Sequence, residues 1–196
     1  MPSADEIQQH LKGAWRMMTG RPDGLLMLDI SADGFWSYFF AIPVALPALA
    51  MGWVVIANEA GVVEGSGYRL SLVLRLAFVH LGSWVLPIAG LAAVARPAGI
   101  ADRFVHYVVA SNWAAALLVW IMLPPQLLRL LWPEAREFAD LVSLLLLLVT
   151  LVLLWRLTNV AINRGPAMAT AIFCGMFAAS LAVLAVLQAL LGFDAA

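Results

Sequence analysis

Five long apolar stretches organise the chain, at 35–57, 70–94, 104–123, 141–157 and 167–191. Each is near the ~20 residues that an α-helix needs to cross a ~30 Å hydrocarbon layer. The pattern therefore predicts five membrane-crossing helices. The breaks are chemically distinct: 58–69 carries Glu59, Glu64 and three glycines, Arg96-Pro97-Ala98-Gly99 is a polar turn, Pro124-Pro125 stops the third stretch, and Asn163-Arg164-Gly165-Pro166 separates the last two. The fourth stretch is the shortest, and its pattern allows it to continue through Thr158 to Val160.

Two segments outside the spans have a different rhythm. Ser3-Ala-Asp-Glu6 is a capping-box pattern, and Ile7, Leu11, Ala14, Trp15 and Met18 follow at helical spacing, with Gln8, Lys12 and Arg16 elsewhere on the wheel. This predicts a short amphipathic helix suited to a membrane surface or to a groove on a partner. Gly20 and Pro22-Asp23-Gly24 end it, and 25–30 reads as a second apolar patch at the interface. Between 124 and 140, Leu127, Leu128, Leu130, Leu131 and Trp132 alternate with Arg129, Glu134, Arg136, Glu137 and Asp140, which predicts a short helix lying along the membrane.

Composition reinforces the pattern. With 64% hydrophobic and 12% charged residues, the chain lacks the polar cover that a water-soluble core requires. The expected fold class is all-α, a polytopic membrane bundle of about five helices with an N-terminal amphipathic interfacial helix. It forms one domain over 1–196, with an N-terminal segment at 1–30 and the bundle at 35–191. A net charge of −1 with scattered basic residues excludes nucleic acid as a partner and leaves the bilayer itself. The single Cys174 cannot form an internal disulfide. Charges at Asp5, Glu6, Lys12, Arg16 and Arg21 interrupt any signal-peptide core, so the N-terminus is expected to be retained.

Alternating the loops between two sides puts Lys12, Arg16, Arg21, Arg96, Arg103, Arg156 and Arg164 with the N-terminus and Arg69, Arg75, Arg129 and Arg136 opposite. Seven against four places the N-terminus in the cytoplasm and, after five crossings, the C-terminus outside. Arginine outnumbering lysine ten to one, with abundant Ala, Leu and Val, points to a GC-rich bacterial genome and hence to an inner membrane. Trp36, Tyr38, Trp53, Tyr68, Trp132 and Trp155 fall near span ends, as aromatic-belt residues do.

Candidate packing and polar residues follow from depth. Ala167, Ala171, Gly175 and Ala179 recur every four residues and give the fifth helix a small-residue face that another helix can approach closely. The leucine run 144–148 places the fourth helix at the periphery, facing lipid. Pro43, Pro47 and Pro87 should bend the first two helices, as prolines do in ordinary membrane helices. Taking the orientation above, His80 and His106 differ in depth by ~20 Å at 1.5 Å per residue, which excludes them as a pair of axial haem ligands. His80, Ser111 and Asn112 are the candidate intramembrane polar groups, with His80 and Asn112 expected first to bond between helices. Arg75 is expected to snorkel outward towards Glu59 or Glu64. No catalytic, cofactor-binding or metal-binding set is expected: no Ser/His/acid set, HExxH, P-loop, dinucleotide turn or paired intramembrane carboxylates occurs in the sequence.

An N-terminal segment followed by five closely spaced helices that end outside resembles the Yip1-type membrane proteins. The stretch 102–113, DRFVHYVVASNW, is also similar to a segment of uncharacterised alphaproteobacterial membrane proteins. The resemblance is architectural and transfers no site residue. It implies a non-enzymatic protein of membrane organisation, which associates with itself or with other membrane proteins. The alternative is a small transporter or channel component, with a cavity among the first three helices lined by His80, Asn112 and the proline-kinked first helix.

Overall fold

The computed structural model describes residues 2–60 and 66–192. The fold is all-α: α1 (Ala4–Met18), α2 (Ala32–Ser37), α3 (Ala41–Ala60), α4 (Ser66–Val94), α5 (Phe104–Ile121), α6 (Leu123–Leu131), α7 (Arg136–Ile162) and α8 (Pro166–Leu190), with 3-10 turns at Pro22–Met27, Tyr38–Phe40 and Pro133–Ala135. Five stretches are long and apolar enough to cross a membrane: Gly34–Asn58, Gly67–Val94, Phe104–Leu131, Pro133–Ile162 and Pro166–Leu190.

Helix ends obey local chemistry. Ser3 caps α1 by accepting from the Glu6 amide at 3.3 Å, while the Glu6 carboxylate accepts from the Ser3 amide, completing the capping box. The turn between α7 and α8 closes in three residues because Asn163 adopts φ 49° and Gly165 φ 87°, after which Pro166 opens α8 with no amide to leave unpaired. Arg164 then grips Asp102 through both carboxylate oxygens at 2.9 and 3.0 Å, tying this turn to the one between α4 and α5. The Arg164 guanidinium holds the Asp102 carboxyl below the usual carboxylate range.

Several expectations need correction. Pro43 lies in the first turn of α3, where its missing amide costs no helical bond, so only Pro47 and Pro87 stand inside helices. The fourth apolar helix starts earlier than expected, at Arg136, and takes up the extension its pattern allowed, ending at Ile162, while the short helix expected between 124 and 140 is α6. Within 25–30, Leu26 and Ile30 are exposed while Leu28 is buried. The 3-10 turn Pro22–Met27 folds back on α1, with Gly13 and Gly24 so close that a Cβ at Gly13 would lie 2.8 Å from the Gly24 oxygen.

The largest correction concerns α1. Its buried face is His10, Gly13, Ala14, Met17 and Met18, whereas Trp15 is 43% exposed. Of the expected stripe, Ala14 and Met18 are buried and Ile7 and Leu11 pack against the core, so Trp15 alone lies off the face, which docks on α5 and α7 of this same chain. Trp113, fully buried at the middle of α5, is the anchor of the core that results. Of the belt residues, Trp36, Tyr68 and Trp132 are exposed, but Tyr38 and Trp53 are buried: Tyr38 packs against His10 and Trp113, and Trp53 against His80.

Candidate functional site

Four helices enclose a partly open cavity of about 220 Å³. Each contributes residues at helical spacing: Ser83, Trp84, Pro87 and Ile88 from α4, Tyr107, Ser111, Asn112 and Ala115 from α5, Leu154, Leu157 and Thr158 from α7, and Phe173, Met176, Phe177 and Ser180 from α8. Along α4 the lining lies ~9–16 Å from Val94 at 1.5 Å per residue, inside the apolar span.

Asn112 is the polar centre of this cavity. It is 1% exposed, and its Oδ1 accepts the indole N–H of Trp84 at 2.9 Å. An indole nitrogen can only donate, so the amide oxygen must face Trp84 and the Nδ2 group is turned away from it. That Nδ2 is buried and has no hydrogen-bond partner, and the buried Ser83 hydroxyl lacks one as well. Ser111 and Thr158 satisfy their hydroxyls on their own helices, donating to Val108 O at 3.1 Å and Leu154 O at 2.8 Å. No charged side chain lines the cavity. Its chemistry is therefore that of a neutral, mainly apolar chamber with four aromatic side chains in its lining and unpartnered donors at one carboxamide and one hydroxyl.

His80 does not share this site. It is exposed on the outer surface of α4, and its Nδ1 accepts from Trp53 at 3.3 Å, pairing α3 with α4. His106 stands near the start of α5 and His80 fourteen residues before the end of α4, so the two lie at different levels of the bundle. Among the described residues, no group of three or more His, Cys, Asp or Glu is placed to hold a metal ion. This cavity includes Asn112 and Ser111 but not His80 or any residue of α3, and it draws on α7 and α8.

The small-residue face is also placed differently from a face packed within the bundle. Ala167, Ala171 and Gly175 are exposed, Ala179 is half-buried, and a Cβ at Gly175 would meet nothing within 4 Å. α8 packs on α4 and α7 through other residues, among them Leu187, whose side chain sits against Gly82. On α7, Leu144, Leu145, Leu147 and Leu148 are exposed, in keeping with a peripheral position. Arg75 donates to the Leu191 carbonyl at 3.2 Å; Glu64 and the Glu59 side chain lie outside the described residues.

One cluster was not legible in advance. His10, Tyr38 and Trp113 meet with ring centroids 5.0–6.1 Å apart beneath α1, and the polar atoms His10 Nδ1, Tyr38 OH and Trp113 Nε1 are buried without hydrogen-bond partners. His10 lies outside the spans, so a search for intramembrane histidines passes over it. Burial holds its pKa below the usual histidine value, against the opposing pull of Glu6 and Asp29.

Comparison with known proteins finds no family model, no curated protein and no solved structure that matches the chain.

Proposed function

We propose that this chain is a non-enzymatic multi-pass protein of the bacterial inner membrane, with its N-terminus in the cytoplasm, that acts by associating with other membrane helices as a Yip1-type organiser of membrane proteins. One observation carries the reading. The outer face of α8 presents Ala167, Ala171 and Gly175 with nothing among the described residues within 4 Å of a Cβ at Gly175, so a second helix can approach backbone to backbone. Lipid gains nothing specific from such a face, whereas another small-residue helix gains close van der Waals contact. Cys174 is exposed beside Gly175 and reports on the same surface. Bismaleimide crosslinking of the full chain in native membranes is expected to trap Cys174 in a dimer or a defined adduct, and Gly175→Leu is expected to reduce that product. A strictly monomeric outcome with no co-purifying protein would overturn the reading.

A second reading, a transporter or channel component, draws its support from the cavity between α4, α5, α7 and α8. Solute uptake by vesicles containing the purified protein, against protein-free vesicles, tests it.

A further inference from the structure

We propose that the cavity between α4, α5, α7 and α8 binds a neutral, bilayer-soluble ring carbonyl compound of the quinone class. The proposal rests on the cavity alone and requires neither association through α8 nor transport.

The argument begins with the unpartnered Nδ2 of Asn112. A primary amide in an apolar interior costs free energy unless both of its ends are bonded. Trp84 satisfies only the oxygen end, and the Trp84 N–H has no capacity to accept, so the amide hydrogens are left without a partner among the described residues, on a side chain that borders the 220 Å³ space. What they recognise is an acceptor oxygen. The Ser83 hydroxyl on α4, also buried and unpartnered at a residue of the lining, is a second candidate donor.

Charge and shape narrow the class. With no Lys, Arg, His, Asp or Glu in the lining, an ionised head group has no counter-charge and would be desolvated without compensation, so the ligand is neutral. Trp84, Tyr107, Phe173 and Phe177 supply aromatic walls, which favour a flat ring over an acyl chain. The cavity lies within the apolar spans, so its ligand arrives from the bilayer. A ring carrying carbonyl oxygens on an apolar tail meets all of these demands by binding alone, with no electron transfer implied.

The test uses the full chain reconstituted in phosphatidylcholine vesicles and a decyl-substituted benzoquinone as probe, read by quenching of tryptophan fluorescence. Binding is expected to produce a saturable component of about one quinone per chain above the linear collisional background. Asn112→Leu and the cavity-filling Ala115→Leu are each expected to weaken it about tenfold or more. Ala115→Leu leaves the Trp84–Asn112 bond in place and so decides the matter if Asn112→Leu fails to fold, as judged by helical circular dichroism. A neutral monoacylglycerol, which offers an ester carbonyl without a ring, is expected not to displace the quinone. Purely linear quenching by the wild type, saturable binding unchanged in Ala115→Leu, or displacement by the monoacylglycerol at equal concentration would each overturn the proposal.

Discussion

The indole nitrogen of Trp84 and the amide oxygen of Asn112, 2.9 Å apart, join α4 to α5 across the wall of the cavity. The bond is interhelical and buried, and such bonds in membrane proteins contribute about 0.6 kcal/mol on average and up to ~1.7 kcal/mol. Trp84→Phe and Asn112→Ala should each lower stability, and together they should lower it by less than the sum of the two. A double-mutant cycle on thermal or denaturant unfolding in mild detergent is expected to return a coupling of about 0.5–1.5 kcal/mol. Additive effects would show that the two side chains do not depend on one another.

Core and periphery should respond differently to truncation. Trp113 is fully buried and touches His10 and Tyr38, so Trp113→Ala should cost about 3–5 kcal/mol. Leu144 and Leu148 are each 53% exposed on α7, and their replacement by Ala should change stability by less than about 0.5 kcal/mol. Unfolding measurements on the three variants check the contrast; a large loss at Leu148 would move α7 from the lipid-facing surface to an interface.

The hairpin formed by α1 and the Pro22–Met27 turn depends on glycine. A Cβ at Gly13 would stand 2.8 Å from the Gly24 oxygen and 3.0 Å from the Met27 Cβ, and neither atom belongs to a flexible side-chain end. Gly13→Val should therefore pry the hairpin apart and expose the bond after Lys12 to trypsin, while the bundle keeps its helical circular dichroism. Unchanged protection would contradict the close approach.

Acid should loosen α1. Burial lowers the pKa of His10 from about 6.5, so the docked helix favours the neutral ring. Below about pH 6.5 the undocked chain binds the proton more readily than the docked one, and docking weakens as pH falls towards the depressed value. Above pH 6.5 the full contribution is present. Glu6 and Asp29 oppose the shift and shorten this window. Hydrogen exchange of α1 amides, corrected for intrinsic rates, should therefore speed up between pH 7.5 and 5.5, and His10→Phe should remove that dependence.

These sites differ in how readily the sequence revealed them. The spans were legible because membrane helices are marked by length and hydropathy, and the ends found at Asn58, Val94 and Pro166 fall within a few residues of those expected. The capping box at Ser3 and Glu6 was legible because it depends on neighbours three residues apart. The cavity was not, because the four helices that line it have no strongly one-sided apolar face and periodicity does not say which side turns inward. Asn112 stood out as an amide at depth, yet its partner Trp84 lies 28 residues away and carries no mark of the pairing. The same limit reversed the expectation for Trp53 and Tyr38, which near a span end read as belt residues until a neighbouring helix covers them; for α8 the small-residue face was legible, and only its outward direction was not. On α1, hydrophobicity ranked Trp15 above His10, but the space under the helix accepts the smaller ring beside Tyr38 and Trp113.

Five helices are long and apolar enough to cross a bilayer, and the proposed function has all five cross it, leaving the chain ends on opposite sides. Impermeant maleimide labelling of single cysteines placed at Lys12 and Gly192, with Cys174 replaced by Ser, tests it most directly in intact cells and inverted vesicles. The account predicts that Gly192→Cys is labelled from outside intact cells and Lys12→Cys only in inverted vesicles. Labelling of both from the same side would contradict it.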